Sequence, residues 1–264
     1  MWGYGIVLAD IQVTVTSEGQ EPQYIDCLQK VYGLGPCIVG AFSGRVDLGF
    51  QFLGHLQKWL VIEEDRPDEW GWFPEFVAEN WSTEAAAAYA GLPARALGPV
   101  EILFVATHPT ENNGIPGMPK TFGYTMKAPD FVPRRIRRTE VRAIGSGNQF
   151  QQYKQAISEL NAQGLTHPLH QMEANSPDGF ATGLIIHISD CVEEHPVTGI
   201  SKHLHLGICR HKKYKIVSNN HTRFLSDGTE EEVVMPHVAK CWSEYRQIMR
   251  DRGFGDLAVT ESKC

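Results

Sequence analysis

Two turns in the sequence combine serine with glycine at the point where a strand pattern passes into a helix pattern. Ser43-Gly44 follows one apolar strand, and Gly145-Ser146-Gly147 follows another. Because the first backbone N–H groups of a helix have no partner within the helix, such a turn can receive an anion or an oxyanion. A plain strand–turn–helix connection without chemistry accounts for the same residues, so both interpretations stay open.

Asp10 directly follows the apolar run IVLA, where an unpaired carboxylate is costly to bury. We therefore expect a partner beside it, either a lysine, an arginine or backbone N–H groups. The alternative is an aspartate at the end of a strand that faces water.

A later strand alternates aliphatic residues with histidine and cysteine. Leu204, Leu206 and Ile208 share one face, and the opposite face carries His203, His205, Cys209 and His211. Such side chains bind zinc, but ligands two residues apart on a flat strand rarely complete a tetrahedral site. A polar outer face is the favoured interpretation, so we expect neither a metal nor another cofactor.

The spacing of apolar residues predicts the elements that position these groups. A hairpin is predicted over 30–34 and 37–42, turned by Gly35-Pro36. The helix that follows has a one-sided apolar pattern of Phe52, Leu53, Leu56, Trp59 and Leu60. Other predictions are strands over 5–16 and 140–144, a helix beginning at Ser176-Pro177 and a last helix over 229–252. Strands in blocks and helices in pairs favour a sheet-on-sheet core covered by helices.

Composition narrows the class of protein. The 264 residues are 42% apolar and 21% charged, as in soluble globular proteins, and predict a single domain over 1–264 with a loose tail over 254–264. No apolar run is long enough to span a membrane, and the first residues do not resemble a signal peptide. Six cysteines without a CxxC pair predict free thiols in a cytoplasmic protein. The net charge of −7 argues against nucleic-acid binding.

Three stretches together resemble the proteasome-type N-terminal-nucleophile (Ntn) hydrolases, a family that includes the 20S proteasome subunits and bacterial proteasome-like peptidases. They are IVLADIQVT, QKVYGLGPCIVGAFSGRVDLGFQFL and AIGSGNQF. The resemblance covers most of the chain, although the C-terminal third matches only as an order of elements. It implies an α+β fold of four layers, an αββα sandwich, in a homo-oligomer that acts on peptide or protein substrates.

In this family an N-terminal threonine attacks the substrate carbonyl, and its own α-amine serves as the base. By resemblance, Asp10 and Lys30 take the roles of the aspartate and lysine that set the local charge. Gly44 takes the role of the glycine whose N–H stabilises the oxyanion. Ser146 and Gly147 take the supporting serine and glycine roles.

The sequence departs from the family pattern in two places. Nine residues precede Asp10, and none of them is Thr, Ser or Cys, so removal of Met1 exposes Trp2 and no nucleophile. The family's aspartate-and-serine element before two glycines has its best counterpart in 195–200, HPVTGI, which has one glycine and no aspartate.

Three hypotheses follow. The chain is a peptidase or amidase whose nucleophile lies upstream of Met1, a non-catalytic subunit of a proteasome-like assembly, or a metal-dependent enzyme that uses the histidine face. Retention of both Asp10 and Lys30 favours the first over the second, although a charged pair can also persist for structural reasons.

Overall fold

The computed structural model describes residues 5–16, 21–35, 37–64, 74–112, 119–137, 140–148, 177–210, 213–224 and 227–254, together with 151, 154, 155 and 158. These residues form a mixed α+β protein with four helices and several antiparallel sheets. No helix among them has the length and apolarity needed to cross a membrane. Most of the predicted tail, 255–264, lies outside the described residues.

The described elements follow one another in blocks of strands and helices. The strands are β1 (Gly5–Asp10), β2 (Gln12–Val15), β3 (Gln23–Asp26), β4 (Val31–Gly35), β5 (Ile38–Gly44), β6 (Val100–Asn112), β7 (Pro119–Lys127), β8 (Arg134–Ile136), β9 (Leu204–Arg210), β10 (Lys213–Ser218), β11 (His221–Phe224) and β12 (Glu230–Val233). The helices are α1 (Val46–Glu64), α2 (Pro74–Ala90), α3 (Pro177–Glu194) and α4 (Trp242–Asp251), with 3-10 turns at Ala94–Ala96 and Gly145–Asn148.

Two sheets carry most of the strands. The larger has the order β4-β5-β6-β7-β8, and each pair is antiparallel, so it is a meander. The smaller has the order β1-β9-β10 and is also antiparallel. The pairs β2-β3 and β11-β12 form two further ribbons.

Buried side chains form a core on both faces of the larger sheet. On one face, Ile38, Ile102 and Phe104 pack with the apolar stripe of α1 and with α2. The predicted α1 stripe is confirmed, since all five of its residues are buried. On the other face, a second cluster joins strands of both sheets through Val7, Val31, Val39, Ala41, Leu103, Val105 and Cys209.

The smaller sheet is also apolar on both faces. Leu204, Leu206 and Ile208 of β9 pack against the buried stripe of α3. On the opposite face the two sheets come close, because an ideal Cβ built on Gly207 would lie 2.4 Å from Val39 Cγ1 and 2.7 Å from Val31 Cγ1. A residue without a side chain is therefore needed at this point of β9.

The predicted strand over 5–16 is wrong as a single element, because the chain changes partner at Ile11. The Ile11 N–H donates to the His203 carbonyl at 3.3 Å, while its own carbonyl accepts from Cys27 at 3.1 Å and from Leu28 at 3.0 Å. The backbone thereby leaves the β1-β9 ladder, and β2 pairs with β3 instead. The break occurs directly after Asp10.

Two other predictions are wrong. Residues 140–144 form no strand, and 229–252 is not one helix. The second segment starts with β12, passes through an irregular stretch and becomes helical only at Trp242. Val233 and Val234 are β-branched and disfavour helix, and Pro236 has no backbone N–H to donate.

Candidate functional site

Asp10 and Lys30 lie side by side where β1 ends and β4 is about to begin. Lys30 Nζ is 3.0 Å from Asp10 Oδ1 and donates a second hydrogen bond of 2.5 Å to the Gln12 carbonyl. The same carboxylate oxygen also accepts the Gln12 backbone N–H at 2.7 Å. The structure thus brings together the two charged residues, and lysine and backbone N–H groups both serve as partners of Asp10.

The pair is neither fully buried nor freely solvated. The Lys30 and Asp10 side chains are 18% and 16% exposed, so part of the ammonium and carboxylate surface faces solvent. Because the surroundings exclude much of the water, the charges interact more strongly than an ion pair on an open surface would. The turn at Ile11 positions Gln12 so that its backbone N–H contacts Asp10 and its carbonyl contacts Lys30.

Gly44 ends β5 in a conformation that suits glycine. Its φ is +95°, and an ideal Cβ on it would lie 2.2 Å from the Pro99 carbonyl oxygen. The next residue, Arg45, donates its N–H to the same oxygen at 2.8 Å, and α1 begins one residue later. The tight strand-to-helix turn expected here is present, and its backbone conformation depends on glycine.

Ser146 and Gly147 lie in the 3-10 turn Gly145–Asn148, which contacts the Ser43-Gly44 turn. Gly145 has φ +59°, and an ideal Cβ on it would lie 2.7 Å from Ser43 Cβ. An ideal Cβ on Gly199 would lie 3.9 Å from Ser146 Oγ, so the 195–200 segment is adjacent as well. Three turns that are distant in sequence therefore meet at one place.

A second polar cluster, not foreseen from the sequence, joins this region through Gln12. The Gln12 side-chain amide donates to Asp26 Oδ1 at 3.0 Å. Asp26 Oδ2 accepts from Ser201 Oγ at 2.5 Å and lies 3.0 Å from His203 Nδ1. Burial would raise the pKa of Asp26, but the hydrogen bonds from His203, Ser201 and Gln12 outweigh it and hold that pKa below its usual 3.8.

Little in the sequence could have revealed this cluster. Asp26 and Ser201 are 175 residues apart, and neither stands in a motif with a known spacing. The one available signal is that Asp26 follows the buried Ile25 at a strand end, much as Asp10 follows its own apolar run.

The predicted polar outer face of the histidine strand is wrong. His205 and Cys209 are buried on the face of β9 that turns toward the larger sheet, where Cys209 joins the cluster between the sheets. Burial raises the pKa of the Cys209 thiol to about 12. His203 instead contacts Asp26, and His211 lies outside the described residues. Among the described residues no group of three or more His, Cys, Asp or Glu is arranged to hold a metal ion.

No model of a known protein family matches this chain, and no curated protein matches it. The residues themselves provide a partly buried charged pair and turns whose backbone conformation depends on glycine. An ammonium group in such a place favours the anionic form of a neighbouring nucleophile, and a fixed backbone N–H can stabilise a developing oxyanion.

Proposed function

We propose that this chain is a proteasome-type Ntn-hydrolase-fold protein that hydrolyses peptide or amide bonds, with Asp10 and Lys30 as the charged pair of its site. The observation that carries the proposal is the Lys30 ammonium, 3.0 Å from Asp10 Oδ1, where β1 ends. In the proposed arrangement the ammonium favours deprotonation of a nucleophile bound next to it.

A four-layer αββα sandwich is part of this proposal. Three clusters support it: α1 and α2 pack on one face of the larger sheet, the two sheets share a cluster, and α3 packs on the far face of the smaller sheet. In such a sandwich the ends of β1 and β5 and the start of β4 open on the same side, because β4 and β5 are antiparallel with Val31 opposite Ala41.

The proposed nucleophile is an N-terminal Thr, Ser or Cys of a longer form of the chain, upstream of Met1. Its oxygen or sulfur attacks the amide carbonyl, and its α-amine takes the proton and delivers it to the leaving nitrogen. Water then hydrolyses the acyl-enzyme. The N–H of Gly44 is the proposed oxyanion donor, and Ser146 and Gly147 support the site from the adjacent turn.

Assembly into a homo-oligomer belongs to the same proposal and rests on the family resemblance alone. The tryptophan-rich segment offers no support, since Trp81 is completely buried and Trp70 and Trp72 lie outside the described residues. Sedimentation at micromolar concentration tests the assembly: a species several times the 29.5 kDa chain mass is expected, and a lone monomer contradicts it.

A non-catalytic subunit of a proteasome-like assembly is the second candidate. It is favoured by the engagement of the Lys30 ammonium with both Asp10 and the Gln12 carbonyl, an arrangement that also serves to hold the chain reversal at Ile11. Metal-dependent catalysis by the histidine face has no comparable support, because His205 and Cys209 are buried and His203 contacts Asp26.

Peptide hydrolysis by an extended chain separates the two candidates. The extension adds an upstream segment that is processed to a free N-terminal threonine, and turnover is measured on a panel of fluorogenic peptides. Lys30→Ala in the extended chain is expected to abolish turnover, whereas Lys58→Ala, at an exposed lysine of α1, is expected to leave it unchanged. If the folded extended chain cleaves none of the peptides, the non-catalytic candidate is supported instead.

A further inference from the structure

A cavity of about 530 Å³ opens at the edge of the smaller sheet, and its lining does not include Asp10, Lys30 or Gly44. Its floor comes from β9 and β10, through His205, Ile216 and Ser218. Its wall is the irregular stretch 235–240, for which the sequence had predicted helix. The volume is in the range of sites that hold a small molecule.

The wall of this cavity is fixed at both ends. The Met235 N–H donates to Asn220 Oδ1 at 2.8 Å. At the other end, Ala239 exchanges backbone hydrogen bonds with the 27–29 segment, donating to the Cys27 carbonyl at 2.7 Å and accepting from Gln29 at 2.9 Å. Anchored in this way, the wall keeps the cavity formed without a ligand, which lowers the entropic cost of binding.

His205 presents an unsatisfied polar atom in this place. Its side chain is 4% exposed, and Nδ1 is buried without a hydrogen-bond partner. Burial, with the nearby Lys240 charge, lowers the pKa of His205 to about 4, so the imidazole is neutral at pH 7 and offers one N–H and one lone pair. Because Nδ1 is enclosed by protein, a ligand in the cavity can reach the imidazole only through its other ring nitrogen, Nε2.

The charges around the cavity define the ligand further. Lys240 is exposed, and within the described part of the chain no ion pair engages its ammonium. Glu244 also lines the cavity, but its Oε2 accepts the Lys240 backbone N–H at 2.7 Å, as a cap on the first turn of α4. The peptide N–H leaves the negative charge of Glu244 in place, so this carboxylate repels anions, and beside the Lys240 ammonium a monoanion is favoured over a dianion.

We propose that this cavity binds a small monocarboxylate with an apolar body. The carboxylate accepts hydrogen bonds from the Lys240 ammonium and from a His205 ring N–H, and the apolar body packs against Ile216, Met235 and Val238. The carboxylate only accepts hydrogen bonds, so it pairs with the ring N–H and with the ammonium, and the apolar body of the ligand lies against the aliphatic wall. The proposal does not depend on amide hydrolysis.

Binding of hexanoate to the full chain tests the inference. We expect saturable binding by calorimetry, with shifts of the His205 ring signals in NMR and a higher His205 pKa in the bound state, because a carboxylate stabilises the imidazolium. Lys240→Met is expected to weaken binding about tenfold or more, as for loss of a charge-assisted hydrogen bond. Lys213→Met, at an exposed lysine of β10 outside the cavity lining, is the matched control and is expected to leave binding unchanged.

Hexylamine has the same apolar body with the opposite charge and is expected not to bind. Equal binding of hexylamine and hexanoate, or equal hexanoate binding by Lys240→Met and the unsubstituted protein, would overturn the proposal. So would an absence of saturable hexanoate binding, or binding that leaves the His205 signals in place. Since the readouts are binding and NMR shifts, a failure of peptide hydrolysis has no bearing on them.

Discussion

Substitution of Lys30 by methionine removes the charge from the Asp10–Lys30 pair while keeping a flexible apolar stem. Asp10 then retains the Gln12 N–H at 2.7 Å, but the Gln12 carbonyl loses its lysine donor. Breaking a fully buried ion pair by removing one partner costs about 3–5 kcal/mol. Here the side chains are still 18% and 16% exposed, which lets water compensate in part. We therefore expect the free energy of unfolding to fall by about 2–3 kcal/mol.

Urea unfolding followed by tryptophan fluorescence measures this change. At the slope expected for a protein of this size, the loss lowers the urea midpoint by about 1 M. Asp10→Asn and the double variant complete a cycle, and we expect a coupling energy of about 1–2 kcal/mol between the two residues. Lys58→Met, at an exposed position of α1, is the control and should shift the midpoint little. A Lys30→Met midpoint equal to that of the control, or purely additive effects in the cycle, would refute the pairing.

Three further outcomes are expected. Gly207→Ala places a methyl group 2.4 Å from Val39 Cγ1 and should destabilise the protein by about 1–3 kcal/mol. Gly54→Ala is the control in α1: nothing lies within 4 Å of the added methyl group, so this change should stabilise the protein. Thermal unfolding of both variants tests the close approach of the sheets. The folded-state pKa of His205, about 4, lies below its usual 6.5. The contribution of His205 to stability is therefore complete above pH 6.5 and is lost as pH falls toward 4, by about 3 kcal/mol. His205→Gln should flatten this part of the pH–stability curve, and an unchanged slope contradicts the buried neutral imidazole. Iodoacetamide should modify the exposed Cys241 in the folded protein and spare Cys27 and Cys209, because burial raises the pKa values of these two thiols to about 11 and 12. Mass spectrometry of the labelled peptides measures which cysteines react. Early labelling of Cys209 would contradict its place between the sheets.

Local patterns in the sequence were sufficient for the elements nearest the charged pair. The glycine-rich turn and alternating residues predicted the β4-β5 hairpin, and the one-sided apolar spacing predicted α1. The position of Asp10 after an apolar run indicated a partner, and lysine was among the expected ones. These predictions depend on residues close together in sequence, where periodicity and turn chemistry carry most of the information.

Long-range contacts account for what the sequence did not predict. The chain breaks at Ile11 because its peptide groups bond to Cys27, Leu28 and His203, and no local residue type indicates such a break. The face of β9 with His205 and Cys209 was interpreted as polar, but a second sheet covers it. Alternation distinguishes the two faces of a strand and does not tell whether one or both are buried. The Asp26–Ser201–His203 cluster depends on the same kind of tertiary contact.

Covalent labelling of the extended chain by a peptide epoxyketone tests the central claim most directly, namely that Asp10 and Lys30 support an N-terminal nucleophile. Intact-protein mass spectrometry counts the adducts, and peptide mapping locates them. The account predicts a single adduct on the N-terminal threonine, lost in Lys30→Ala and kept in Lys58→Ala. An adduct on another residue such as Cys37 or Ser43, or a Lys30→Ala variant that is folded and labels as fast as the unsubstituted extended chain, would contradict it.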